Sequence, residues 1–313
     1  MIYFLLFMVA FFVAFLVTPS IRMIALRFYL VDKKNHRKIH TKVVTKMGGV
    51  AIYAGFVLAL MVAFLFEFNV LKNSLFSYAA IIISSSMILL LGIYDDIRGA
   101  NSFVKFSVQI VASLILIHAG FVIESIDTTF GMVILGYFSI PFTLLWLIGI
   151  TNAINLIDGL DGLAAGIVFI ISLGLAFLLI YKGSSLLSAV MSIALAGACL
   201  GFLRYNYYPA KIFMGDTGSL FLGFMIAILA IEGSCKSMTT ISMLVPIIAL
   251  GVPIVDTMLA FGRRIKKRKH PFKADNSHLH HWLVGKGLSQ VQAVWILYIT
   301  TLFLSFLAFL IQK

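Results

Sequence analysis

Cysteine is nearly missing from this chain: two residues, Cys199 and Cys235, in 313. They have neither paired nor metal-type spacing, which excludes a disulfide framework and a cysteine-rich metal site. Charge is scarce as well, with Asp, Glu, Lys and Arg making 12% of the chain against 61% hydrophobic residues, and the mean hydropathy is +1.06. That balance excludes a soluble globule with one apolar core, so lipid is the expected solvent for most of the protein. Acid is the rarer sign, 12 residues against 24 basic ones, for a formal net charge of +12. There is no soluble basic domain to carry nucleic acid, no low-complexity tract and no obvious internal repeat.

What the chain does have is long apolar runs. Crossing a bilayer takes about 20 apolar residues, and ten segments qualify: 2–26, 48–66, 76–94, 104–123, 140–157, 163–181, 186–203, 217–231, 241–261 and 291–311. They predict an all-α polytopic membrane protein with about ten transmembrane helices, residues 1–313 forming a single integral membrane domain. The first run has no basic residue before it and no small-residue cleavage site, which predicts a retained helix and not a signal peptide. The eighth is short and starts Gly-rich, so its membrane-level end is expected to line a cavity. Residues 124–137 (ESIDTTFGMVILGY) alternate apolar and polar around Thr-Thr and Gly, as in a small hairpin.

Of the 24 Lys and Arg, 20 fall around the loops after the first, third, fifth, seventh and ninth runs. The positive-inside rule then makes those loops cytoplasmic and puts both termini outside, in a cell membrane. The same loops hold Asp32, Asp95, Asp96, Asp158, Asp161, Asp216, Asp256 and Asp275, and six of the seven His. One cytoplasm-facing site built from several loops is the economical expectation. The excess positive charge on that face serves either anionic headgroups or a polyanionic substrate such as a diphosphate.

Ionisable and amide groups at membrane depth are costly and mark a substrate, ion or proton site. The densest such stretch is NAINLIDGLDGLAAG (152–166), which holds Asn152, Asn155, Asp158 and Asp161. On a helical backbone Asn155 and Asp158 share a face that Asp161 continues, and oxygen ligands of this kind suit Mg²⁺. The bland alternative is a Gly-rich turn whose polar groups satisfy exposed backbone. Asp95-Asp96 in GIYDDIRG want a cation, a metal or a shared proton, or form a solvated helix end offset by Arg98. In FMGDTGSLFLG (213–223), Asp216 either N-caps the eighth run or adjoins a phosphate site at that helix start, and Phe213 either packs or stacks on a flat ring. His278, His280 and His281 in SHLHHWL suit phosphate or sugar in basic surroundings; without Cys or HExxH, a zinc protease is weakly supported. Asp256, seven residues before Arg263, reads as a partner of that basic cluster or a polar contact between helices.

In combination RKIH (37–40) with MGG (47–49), GIYDD (92–96), the 152–166 stretch, the 213–223 stretch and PFKADNSHLHH (271–281) resemble the polyprenyl-phosphate N-acetylhexosamine-1-phosphate transferases, glycosyltransferase family 4. The HxHH form and the PFKAD lead-in resemble the WecA/TagO-like branch, and the MraY-like muramoyl branch more distantly. Lys34 and Thr45 stand where relatives often carry Pro. The resemblance implies transfer of N-acetylglucosamine 1-phosphate from UDP-GlcNAc to a polyprenyl phosphate with release of UMP, in a cell-envelope glycan pathway. It also implies Mg²⁺, with Mn²⁺ as a substitute. The metal is expected at Asp216 and Asn155, and catalysis at Asp95, Asp96, Asp158, Asp161 and His280. Substrate is expected at Asn152, Asp158, Asp161, Phe213, Lys42, Arg37, His278, His280 and His281. A homodimer is one arrangement that lipid-facing helices allow. An intramembrane prenyltransferase would show two matched DxxxD motifs, and a cation-coupled transporter would place its acids at mid-membrane. Neither pattern is present.

Overall fold

The computed structural model describes residues 1–30, 44–66, 74–128, 131–183, 185–235, 244–266 and 278–311. Among these, the helices in chain order are α1 Ile2–Arg27, α2 Gly49–Phe66, α3 Leu75–Arg98, α4 Ser102–His118, α5 Ser139–Ile157 and α6 Leu163–Tyr181. They continue as α7 Leu186–Asn206, α8 Gly215–Cys235, α9 Leu244–Ala249, α10 Gly251–Lys266, α11 Leu279–Gly285 and α12 Gln290–Ile311. By length and composition, seven of them can cross a membrane: α1, α2, α3, α5 (with the short 3₁₀ turn Gly136–Phe138 leading into it), α6, α7 and α12. Two shorter apolar helices, Ser102–His118 and Gly215–Ile231, join the bundle. The protein is therefore an all-α polytopic membrane protein, with one exception in the expected place. Strands β1 (Ser125–Thr128) and β2 (Gly131–Ile134) pair antiparallel in register Ser125↔Ile134 to Thr128↔Gly131.

Two expected spans differ in detail. The fourth, expected over 104–123, stops at His118, because the chain turns at Ala119 and Gly120, the latter at φ 89°. The ninth, expected as one run over 241–261, is broken at Leu250 into α9 and α10. Pro253, three residues on, has no N–H to donate to the preceding turn, which leaves the ladder one bond short beside the break.

The centre of the bundle is α7, flanked by α1, α2 and α6. Its Ala and Gly residues let neighbours approach to backbone contact, the usual packing mode in lipid. At Gly201, for example, a Cβ would run into the Phe11 carbonyl of α1. Aromatic side chains fill the rest, and Phe56, Phe202, Phe221 and Phe224 are fully buried. The end of α3, the start of α4, the end of α5, the start of α8 and α11 all meet at one end of this bundle. Each brings polar residues with it.

Candidate active site

The third helix ends on its two acids. Asp95 Oδ1 accepts from Ala100 N at 2.6 Å, which folds the chain back at Gly99. Asn101 then caps α4 by accepting from Val104 N at 2.8 Å. One turn into α4, Lys105 extends its ammonium between two carboxylates, pairing with Asp95 and donating to Asp216 Oδ2 at 3.2 Å. Three elements therefore share one cation. Lys105 appeared in the sequence only as one more basic residue of a topology count; its place nine residues after Asp96, across a tight turn, was the missed signal.

Asp96 has a different set of partners. Its carboxylate accepts from Asp216 N at 3.1 Å, Thr217 N at 3.0 Å and Thr217 Oγ1 at 2.7 Å. It thus caps the N-terminus of α8 from another helix, where an anion is favoured by the exposed N–H groups. Asp216 itself does not cap: its side chain turns to α5, where Asn155 Nδ2 donates to Asp216 Oδ1 at 2.6 Å and to Ser219 Oγ at 2.8 Å. Asn155 and Asp216, expected as a ligand pair, are brought into contact. Asn152 diverges from them and donates to Gln109 Oε1 of α4 at 2.9 Å.

After α5, Asp158 and Asp161 occupy the turn into α6, which Gly162 closes at φ 77°. Asp158 accepts no hydrogen bond among the described residues. Burial pushes its carboxyl up to about 8, and the nearby Asp216, Asp96 and Asp161 carboxylates push in the same direction. Asp161 is 2% exposed and accepts from Ala210 N at 2.9 Å, tying this turn to the loop before α8. In that loop Phe213 is half-buried. Its backbone N–H donates to Thr45 O at 2.8 Å and its carbonyl accepts from Gly48 N at 3.0 Å. The MGG segment is therefore strapped onto FMGD. Arg37 and Lys42, expected to hold substrate from the same first loop, lie outside the described residues.

The His block packs on the Asp158 turn. His280 Nε2 lies where a side chain at residue 159 would stand, so only Gly159 admits the ring. His280 is 1% exposed, and its Nδ1 has no partner among the described residues. Burial, reinforced by His281 and His278, pushes its imidazole down to about 3, so the ring is neutral at physiological pH. Burial also lowers His281, whose ring centroid is 4.3 Å from that of His280. His278 pairs through Nδ1 with Asp256 Oδ2 at 2.9 Å, while Asp256 Oδ1 accepts from Leu279 N at 2.7 Å. Asp256 is thus a polar contact between α10 and α11, one of the two readings its position allowed.

Among the described residues no three His, Cys, Asp or Glu side chains converge on one point, so these residues by themselves do not build a complete metal cage. The donor set nevertheless fits Mg²⁺, which takes one or two carboxylates and leaves its other positions to water and phosphates. The structure already gathers a cation, the Lys105 ammonium, between Asp95 and Asp216. Of those two carboxylates Asp216 is the more open, with its side chain 35% exposed against 7% for Asp95.

Residues 78–234 match the family described as glycosyl transferase family 4. Among relatives, the probable undecaprenyl-phosphate N-acetylglucosaminyl 1-phosphate transferase of Bacillus subtilis (strain 168) is 38% identical over 309 residues, covering 98% of this chain and 84% of that protein. The decaprenyl-phosphate N-acetylglucosaminephosphotransferase of Mycolicibacterium smegmatis is 33% identical over 313 residues, covering 92% and 76%. The phospho-N-acetylmuramoyl-pentapeptide-transferase of Heliobacterium modesticaldum is 35% identical over 223 residues, covering 68% and 66%. With its acids and histidines gathered at one end of a membrane bundle, and with likeness of this extent, the chain belongs to glycosyl transferase family 4.

Proposed function

We propose that this protein transfers N-acetylglucosamine 1-phosphate from UDP-GlcNAc to undecaprenyl phosphate or a similar polyprenyl phosphate, releasing UMP. The observation that carries this reading is the Asn155–Asp216–Lys105–Asp95 chain of contacts, close to the Asp158 turn on which His280 packs. The chain offers cation-binding oxygens and a fixed ammonium, and the His block adds neutral imidazoles at the adjoining turn. In the reaction an oxygen of the lipid phosphate bonds to the β-phosphorus of the donor. The bond from that phosphorus to the bridging oxygen breaks, and UMP leaves with the electron pair.

Such transfer depends on positioning and charge stabilisation more than on covalent help from the protein. The lipid phosphate needs no strong base, because its second pKa lies near 6, like that of a phosphorylated side chain. Lys105 balances Asp95 and Asp216 where two polyanions must meet. Asp158, holding its proton at neutral pH, can donate to an oxygen on the uridine side, and Phe213 would stack on the uracil. The neutral His280 and His281 are suited to hydrogen-bond the diphosphate and the N-acetyl sugar without adding charge. Mg²⁺, held by Asp216 with Asn155 beside it, would supply Lewis-acid neutralisation of the diphosphate.

The distribution of Lys and Arg supports a cytoplasmic site with both termini outside, in the cell membrane. The test is direct: membranes are incubated with labelled UDP-GlcNAc, Mg²⁺ and undecaprenyl phosphate. A lipid-extractable labelled product with UMP release is expected, and Asp216→Asn should lower the rate by at least about 100-fold. No lipid product with any UDP-N-acetylhexosamine would refute the transferase, and near-normal turnover in Asp216→Asn would refute the ligand role.

A further inference from the structure

A large apolar hollow among the described residues has none of the acids in its lining. It is a groove of about 830 Å³ along the outer seam of α6 and α12. One wall is the α6 stripe at Phe169, Leu173 and Phe177, and the other is the α12 stripe at Ile299, Leu302 and Phe306. Both repeat at helical spacing, so each helix turns one face into the groove. The helices pack closely at its floor, where a Cβ on Gly174 would come within 3.4 Å of Ser305. The walls stand out from the bundle: Phe177 is 64% exposed and Leu302 60%.

At the site end of the bundle the groove reaches Leu203 and Tyr207, and the same two residues line a second hollow of about 580 Å³. Phe11, Phe15 and Leu200 make that hollow apolar, while Arg204 and Lys211 make its rim basic. Both cations are exposed and neither has a charged partner among the described residues. Arg22 adds a third positive charge, donating through Nε to the Lys211 carbonyl at 3.0 Å. Between the hollows, Trp295 Nε1 donates to Tyr207 Oη at 2.9 Å, an aromatic pair of the kind that sits at headgroup level.

We infer that these two hollows and their cationic rim form a resident site for an anionic two-chain phospholipid. The phosphate lies at Arg204 and Lys211, and an acyl chain enters each hollow on either side of Leu203 and Tyr207. Charge complementarity selects an anionic headgroup. Two hollows select two chains, whereas a polyprenyl phosphate has one. Position also excludes the acceptor lipid in its reacting pose. Asp95, Lys105 and Asp216 are on α3, α4 and α8, whereas the groove belongs to α6, α7 and α12. The site does not depend on the transferase reading.

Retention measures it. The protein is reconstituted in vesicles with equal dioleoylphosphatidylglycerol and dioleoylphosphatidylcholine, extracted in mild detergent and weighed by native mass spectrometry. One phosphatidylglycerol per chain is expected, favoured over phosphatidylcholine by about 30-fold for two basic side chains near the surface. In the double variant Arg204→Gln, Lys211→Gln the two lipids should be retained about equally. Leu302→Trp, which fills the groove from an exposed wall, should retain neither. Any one of four results overturns the inference: equal retention by the wild type, an unchanged preference in the double variant, displacement by equimolar polyprenyl phosphate, or a dimer that closes the groove without lipid.

Discussion

Single residues here divide between those that stand out in an apolar sequence and those whose role depends on a partner in another helix. Asn155 and Asp216 stand out because an amide and an acid in apolar sequence are costly, but that they belong together was implied only by the family resemblance; they meet at 2.6 Å. Asp96 and Lys105 could not be assigned that way. An acid at the end of one helix gives no local sign that it caps another 120 positions on. A lysine near a membrane surface obeys the positive-inside rule whether or not it bridges two carboxylates. Asp158 illustrates a third case, in which the environment sets the chemistry. Its carboxyl is ordinary by type, but burial among three other acids raises it to about 8. The folded chain therefore holds a proton that the unfolded chain releases near pH 4, and stability falls as pH rises between those values. Asp158→Asn removes this dependence. In detergent, without nucleotide or divalent metal, the variant should melt close to the wild type at pH 5 and roughly 2 °C or more above it at pH 8. An equal difference at both pH values would show that the proton is not held there.

Secondary elements were the most legible level, because a run of about 20 apolar residues has few alternatives to a helix in lipid. The β1–β2 hairpin was readable for the complementary reason, a period of two around turn residues. What hydropathy did not mark was the break at Leu250, three residues before Pro253, or the short α11. That helix has only seven residues, too few to register as an apolar run; Asp256 of α10 holds its first turn through His278 and Leu279. Asp256 is accordingly a positioning residue for the His block. Asp256→Ala should lower turnover by about 100-fold, the effect of small displacements of active-site groups, with Asp256→Glu recovering part of it. The melting temperature reports separately on folding, so a well-folded Asp256→Ala protein with near-normal turnover would remove Asp256 from that role.

The whole molecule orders its charge along one axis. Arg22 on α1 reaches Lys211 beside the site, and Trp295 and Tyr298 at the start of α12 contact Tyr207 and Gly162 there. The first helix therefore ends, and the last begins, at the site end. The β1–β2 hairpin follows the opposite end of α4. Combined with the basic loops, this axis predicts a sidedness that can be measured in intact cells. In a Cys235→Ser background, Tyr137→Cys beside the hairpin should react with a membrane-impermeant maleimide without permeabilisation, because Tyr137 is fully exposed. Lys286→Cys, after α11, should react only once the membrane is opened. Cys199 is buried and should stay silent in both. The reverse labelling pattern would turn the protein over and place the acids outside. A donor nucleotide sugar made in the cytoplasm could then not reach Asp216, so the same labelling experiment constrains the proposed chemistry as well as the topology.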